Sequence, residues 1–165
     1  MRNLVSEVYN MVEKQSNDLD RLNLLRNEAH INMVVGHLLN YNFNPNIEFL
    51  LPPGVPPFKN EEKPAGLEDT TLEKEFRRFY IWLDPNQNLS RSRREKLFIE
   101  MLMGLNIEEA YLICLVKDKK LQEKFPSITE KLVRETFQDL LPPAIIKDEI
   151  KKSRGKPRKE MWWNF

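Results

Sequence analysis

One cysteine, two histidines and five glycines are all that 165 residues contain of three versatile residue types. A single thiol, Cys114, rules out an internal disulfide and fits a reducing compartment. Five glycines are few for an all-β fold, whose tight turns depend on them. His30 and His37, seven residues apart and far in sequence from Cys114, fall short of a metal ligand set, so no metal and no cofactor is expected. No apolar run approaches the ~20 residues needed to span a bilayer. Met1-Arg2 leads into an amphipathic stretch, not the apolar core of a signal peptide. A soluble, cytosolic protein with no membrane partner is the expectation. Also missing are a Gly-rich phosphate loop, a Gly-x-Ser-x-Gly elbow and a zinc-protease motif. Acid pairs such as Glu61-Glu62 and Glu108-Glu109 read as loop charge and helix N-terminal charge. Cys114, flanked by Leu112, Ile113 and Leu115, reads as a buried, inert thiol. These absences predict a protein that is not an enzyme.

What is present points to helices. Apolar residues at 41% and charged residues at 31% suit one globular domain with a real core. Leu4, Val5, Val8, Met11 and Val12 recur at helical spacing and predict a helix over about 3–15. Asn17 or Asp18 can cap a second helix with Leu19, Leu22 and Leu25 on one face, and Asn27 is expected to start a third carrying Ile31, Val34, Val35, Leu38 and Leu39. Residues 41–69 then hold six of the eleven prolines. Proline blocks helix, so this is extended chain. Phe43, Ile47, Phe49, Leu50, Leu51, Val55 and Phe58 are interleaved there and predict an ordered strap across the helices. Beyond it, Thr70-x-x-Glu73, Ser92-x-x-Glu95, Asn106-x-x-Glu109 and Ser127-x-x-Glu130 are four capping-box patterns, each opening an amphipathic run. Pro143 suits the first position of a short last helix. The expected architecture is all-α: seven or eight short helices in a compact bundle over residues 1–150, a Pro-rich strap, and a flexible basic tail over 151–165.

Charge is unevenly shared. Residues 151–165 hold six basic residues and one acid, so the net +1 of the whole chain leaves −4 on residues 1–150. Such asymmetry is a partner signal. Three basic features stand out. Arg91, Arg93 and Arg94 sit at a helix start beside Ser90 and Ser92, where hydroxyls and arginines suit phosphate oxygens; the same residues read equally as a solvated helix start with pairs such as Arg91–Glu95. Lys117, Lys119, Lys120 and Lys124 precede Ser127 and Thr129, a plausible clamp on a nucleic-acid backbone or a lysine cluster satisfying a helix C-terminus. Lys151, Lys152, Arg154, Gly155, Lys156, Pro157, Arg158 and Lys159 form the third, which is also readable as a solvated linker. After them, Trp162, Trp163 and Phe165 crowd the end. They either fold back on the body or anchor the chain in a partner, for which tryptophan is well suited.

Arg154-Gly155-Lys156-Pro157 with its basic flanks resembles an AT-hook, whose Arg-Gly-Arg-Pro core lies in the narrow minor groove of A·T-rich DNA. Lys156 replaces the second arginine and loses its planar fork. Val5-Ser6-Glu7-Val8-Tyr9, Tyr41-Asn42-Phe43-Asn44-Pro45-Asn46-Ile47 and Val116-Lys117-Asp118-Lys119-Lys120-Leu121 look like a family of small proteins of T-even-like myoviruses, cyanophages included. That likeness, over most of residues 1–142, implies a phage protein in the cytoplasm of an infected bacterial host and brings no known activity.

The order of elements is also similar to the N-terminal helical DNA-binding domain of T-even phage ATP-dependent DNA ligase. Leu4 to Val12, Leu19 to Leu39, Pro45 to Pro57, Thr71-Leu72, Leu89 to Arg94, the basic turn at 117–120, Ser127 to Val133 and Phe137-Gln138-Asp139-Leu140-Leu141-Pro142 follow its sequence of parts. The resemblance implies duplex binding through backbone and minor groove, with Ser127, Thr129 and Lys131 facing phosphate. Where the ligase turn carries glycine, this chain has Lys124-Phe125-Pro126. The nucleotidyl-transferase half is absent, so ligation is excluded. The expected function is that of a non-enzymatic duplex DNA-binding protein. Its rival is an adaptor that docks Trp162, Trp163 and Phe165 on a phage or host replication or transcription protein, such as a sliding clamp or RNA polymerase; a virion structural component is a third possibility.

Overall fold

The computed structural model describes residues 2–64, 66–143 and 162. Helix α1, Val5–Glu13, buries Val5, Val8, Tyr9 and Val12 along one face. The Glu7 carboxylate reaches back to accept from the Leu4 N–H at 2.7 Å and closes its first turn. Asn17 caps α2, Asp18–Ile31, accepting from the Asp20 N–H at 2.9 Å.

The break expected at Asn27 falls instead at Asn32. Its side chain, 5% exposed, accepts from the Val34 N–H at 3.0 Å and starts α3, Val34–Phe43. Asn27 lies inside a helix already running, where a capping side chain has no free N–H to take. Of the apolar residues expected on the second helix, Leu25 is buried and Leu19 is exposed; Ile31, expected on the third, ends α2 and is exposed.

Of the strap predicted over 41–69, residues 41–43 belong to the end of α3, and the described residues 44–64 and 66–71 form the connection to the next helix. Phe49 is buried, and the Leu50 N–H donates to the Trp82 carbonyl at 2.7 Å. Asn60 donates to the Leu102 and Leu105 carbonyls at 3.0 and 2.8 Å, satisfying acceptors at the end of a later helix that have no intrahelical donor. Val55 stays exposed.

The helix expected from Thr70 to Leu83 is three short pieces: α4, Leu72–Glu75, a 3-10 turn, Phe76–Arg78, and α5, Tyr80–Leu83. Thr71 is its cap, accepting from the Lys74 N–H, while the Thr70 hydroxyl donates to Glu75. Helix α6, Arg91–Gly104, is capped by Ser90 rather than Ser92. Asn106 caps α7, Ile107–Lys117, as expected. After α8, Leu121–Lys124, comes α9, Glu130–Thr136, capped by Thr129 rather than Ser127. At each displaced start two hydroxyls lie within two residues. The phase of the buried face decides between them, and for α6 that face is Phe98, Met101 and Leu102.

The fold is all-α, with nine α-helices and no strand among the described residues. Helix α7 is its axis. It packs on α1, α3, α6 and α8 and buries Ala110, Leu112, Ile113, Cys114 and Val116. Burial pushes the Cys114 thiol up to about 12, so it is a protonated, inert core residue at neutral pH. Among the described residues no helix is long and apolar enough to cross a membrane.

Candidate functional site

Helix α7 ends on carbonyls that lack intrahelical donors. The chain closes them with a left-handed residue. Lys119 has φ 60°, its N–H reaches the Val116 carbonyl at 3.0 Å, and the Lys120 N–H reaches Leu115 at 2.8 Å. Glycine is the usual occupant of such a position. Here the lysine side chain also caps the end of α3, its Nζ donating to the Tyr41 and Asn44 carbonyls at 2.9 and 2.7 Å.

Lys117 is more deeply committed. Its residue is 6% exposed, and Nζ donates to the Pro52 carbonyl at 2.7 Å and to Asp118 Oδ1 at 2.6 Å. Asp118 Oδ2 accepts from the Gly54 N–H at 2.8 Å. Gly54, at φ 86°, is the residue that lets the strap turn here. Burial lowers the Lys117 pKa, and the Asp118 carboxylate works against that shift. Lys117 and Lys119 are candidates both for a clamp on a nucleic-acid backbone and for satisfying a helix C-terminus. They face carbonyl oxygens inside the fold, because a buried ammonium is tolerable only where such acceptors surround it.

The same stitch builds a seat for Trp162. Its indole Nε1–H donates to the Pro53 carbonyl at 3.0 Å. Its ring stacks on Phe98 with centroids 5.9 Å apart and planes 18° from parallel. The Lys117 ammonium stands 5.3 Å from its centroid. The seat continues an aromatic row through the core: Phe76–Phe79 at 5.8 Å, Phe79–Trp82 at 5.9 Å and Trp82–Phe98 at 5.6 Å. Of the two readings of the terminal aromatics, Trp162 follows the one in which it folds back on the body.

The other expected contacts divide. Arg91 Nε donates to the buried Glu95 carboxylate at 2.9 Å. Arg94 is half-buried, and its carbonyl accepts from Trp82 Nε1. Lys124 pairs with Glu108 at 2.5 Å. Ser127 gives both its N–H and its hydroxyl to the Glu13 carboxylate, at 3.0 and 3.1 Å. A phosphate approaching Ser127 would meet that carboxylate, so the expected helix-start grip is repulsive at this residue. The Thr129 hydroxyl caps α9. Arg93, Lys120 and Lys131 are exposed; the Lys131 side chain is 80% exposed and only 4.0 Å from Glu135 at its tip. Lys151, Lys152, Arg154, Gly155, Lys156, Pro157, Arg158, Lys159, Trp163 and Phe165 lie outside the described residues. Among the described residues no group of three or more His, Cys, Asp or Glu is placed to hold a metal ion.

Sequence reasoning missed Pro52, Pro53, Phe98 and Asp118 as parts of one site. The usable signal was the Pro52-Pro53-Gly54 step, a rigid turn that presents two consecutive carbonyls without competing N–H donors.

A family model, Family of unknown function (DUF6433), matches residues 8–123. That is well over half of the chain, and the chain belongs to this family. The match contains Pro52, Pro53, Phe98 and Lys117, which form the seat, and leaves its occupant Trp162 outside. No curated protein and no solved structure matches.

Proposed function

We propose that this member of the DUF6433 family binds duplex DNA without reacting with it, gripping through the basic segment 151–159 while Trp162 holds the far end of that segment on the helical body. The observation that carries the reading is the charge partition. Six cations and one acid fall within residues 151–165, against a body of net −4 whose most concentrated lysines, Lys117 and Lys119, are bonded to internal carbonyls. The Arg154-Gly155-Lys156-Pro157 core supports minor-groove contact, since its glycine lets backbone approach the groove floor and its cations suit the narrow groove's negative potential. Arg93, Lys120 and Lys131 are the exposed body cations that could add phosphate contacts. The likeness to myovirus proteins puts this activity, within the same proposal, in the replication, transcription or genome handling of a phage inside a bacterial cell. The three contacts of Trp162 with its own body support a clasp over an anchor in a partner protein.

Fluorescence anisotropy with A·T-rich, G·C-rich and nicked duplexes tests this. The full chain is compared with a full-length variant in which Lys151, Lys152, Arg154, Lys156, Arg158 and Lys159 are all replaced by Gln. The wild type should bind with a log–log salt slope of roughly −4 to −5, from about five neutralised phosphates, and the neutralised variant should lose that slope. Equal binding by both would move the grip to the body. No binding by either at low salt would end the DNA reading and favour the adaptor.

A further inference from the structure

At the N-terminal end of α7 the fold buries a carboxylic acid and leaves half of it unused. Glu109 is 1% exposed. Its Oε2 accepts from the Leu72 N–H at 3.3 Å, at the start of α4, while its Oε1 is buried with no hydrogen-bond partner. Glu109 is in the wall of a pocket of about 440 Å³ between the N-terminal segment, the strap's end and α4. Such a volume suits a small molecule.

The charges around this pocket come in two sets. Burial raises the Glu109 pKa to about 7, and Glu68 from the strap, Glu7 from α1 and Glu73 from α4 add to that rise with like charge. Glu73 is paired with Arg2. Lys74 and Arg77, both exposed, line the same pocket. Asn3, Asn32 and Thr71 add polar wall, and Leu4 and Val5 add apolar wall.

We propose that this pocket is a binding site for a small zwitterion, an amino-acid-like molecule whose cationic nitrogen bonds to Glu109 Oε1 and whose anionic group meets Lys74 and Arg77. A cationic nitrogen is what a buried acceptor without a donor calls for, because burying a polar oxygen unpaired is costly and a charge-assisted bond is the strongest remedy. The ligand's positive charge replaces the proton on Glu109, so the acid ionises as the ligand binds. The site is independent of the DNA reading: none of its residues belongs to the basic segment or to the Trp162 seat.

Isothermal titration calorimetry of the full chain with L-arginine, and with agmatine as the analogue lacking the carboxylate, tests the proposal. L-Arginine should bind at millimolar concentration or below, and agmatine more weakly. At pH 7 proton release from Glu109 should make the observed heat differ between Tris and phosphate buffers. Glu109→Gln keeps shape and the acceptor for the Leu72 N–H, so it should fold; it should weaken L-arginine about tenfold or more and abolish the buffer dependence. Lys74→Ala with Arg77→Ala should remove the preference for L-arginine over agmatine. The proposal is overturned if neither probe gives heat or shifts the α4 and α7 amide resonances at millimolar concentration. Undiminished, still buffer-dependent binding by Glu109→Gln would overturn it as well.

Discussion

The two ends of α7 each bury a charged side chain of the sign that the helix dipole favours there, an acid near the N-terminus and a lysine at the C-terminus. They are treated in opposite ways. Lys117 has a carbonyl and a carboxylate oxygen within 2.7 Å and stacks under an indole ring. Glu109 has one weak backbone donor and an oxygen without a partner, among three other carboxylates. Burial is thus similar, and what differs is the number of partners. A fully partnered buried charge joins elements: Lys117 stitches α7 to the strap. A half-partnered one stays poised to change its protonation or to take a ligand.

The largest effect should come from breaking the partnered end. Lys117→Ala strands Asp118 and the Pro52 carbonyl and should cost about 3 to 4 kcal/mol in urea unfolding; a loss under about 1 kcal/mol would show that the stitch is not structural.

The unpartnered end should give the converse result, through pH. The folded-state pKa of Glu109, about 7, lies above its ordinary value of 4.5. The folded protein therefore holds a proton that the unfolded chain releases. The Glu109 contribution to stability is fully present below about pH 4.5 and is lost, by up to about 3 kcal/mol, as pH rises to 7. Glu109→Gln should flatten this slope and leave the protein more stable than wild type at pH 8, as read by thermal melts across pH. A wild-type profile that is flat from pH 4.5 to 7 would contradict the raised pKa.

Trp162→Ala removes one hydrogen bond and one ring stack, and a loss of about 1 to 2 kcal/mol is expected. The change should also expose Phe98, read as greater binding of an apolar dye. An unchanged melting temperature would mean that Trp162 is seated too weakly to act as a clasp.

Smallest of all should be Lys120→Ala and Lys131→Ala, within about 0.5 kcal/mol in the same unfolding assay, since both side chains stand in solvent. A large effect at Lys120 would blur the distinction between the stitched lysines of this turn and its solvent-facing ones.

Much of the fold was legible from pattern. The apolar spacing of α1, the Asn106 cap, the strap and the core position of Cys114 all follow from local chemistry. At three starts with neighbouring hydroxyls the cap was legible only to within two residues, and the start expected at Asn27 lies five residues on, at Asn32. Ser90 and Ser92, or Ser127 and Thr129, are chemically equivalent choices until the buried face sets the helix phase. The site was less legible. Lys117, Lys119, Lys120 and Lys124 look alike in sequence, yet two of them reach carbonyls 65 to 78 residues away.

By itself, then, the amino-acid order determined the all-α class, the extended strap and the charge imbalance between body and tail, because periodicity, proline and net charge act over a few residues. Tertiary structure alone decided which lysines are buried, which aromatic Trp162 meets and why the Glu109 pKa is raised. Each of those depends on which carbonyls, rings and carboxylates distant chain segments bring within hydrogen-bonding or Coulombic reach, and on how much water their packing excludes.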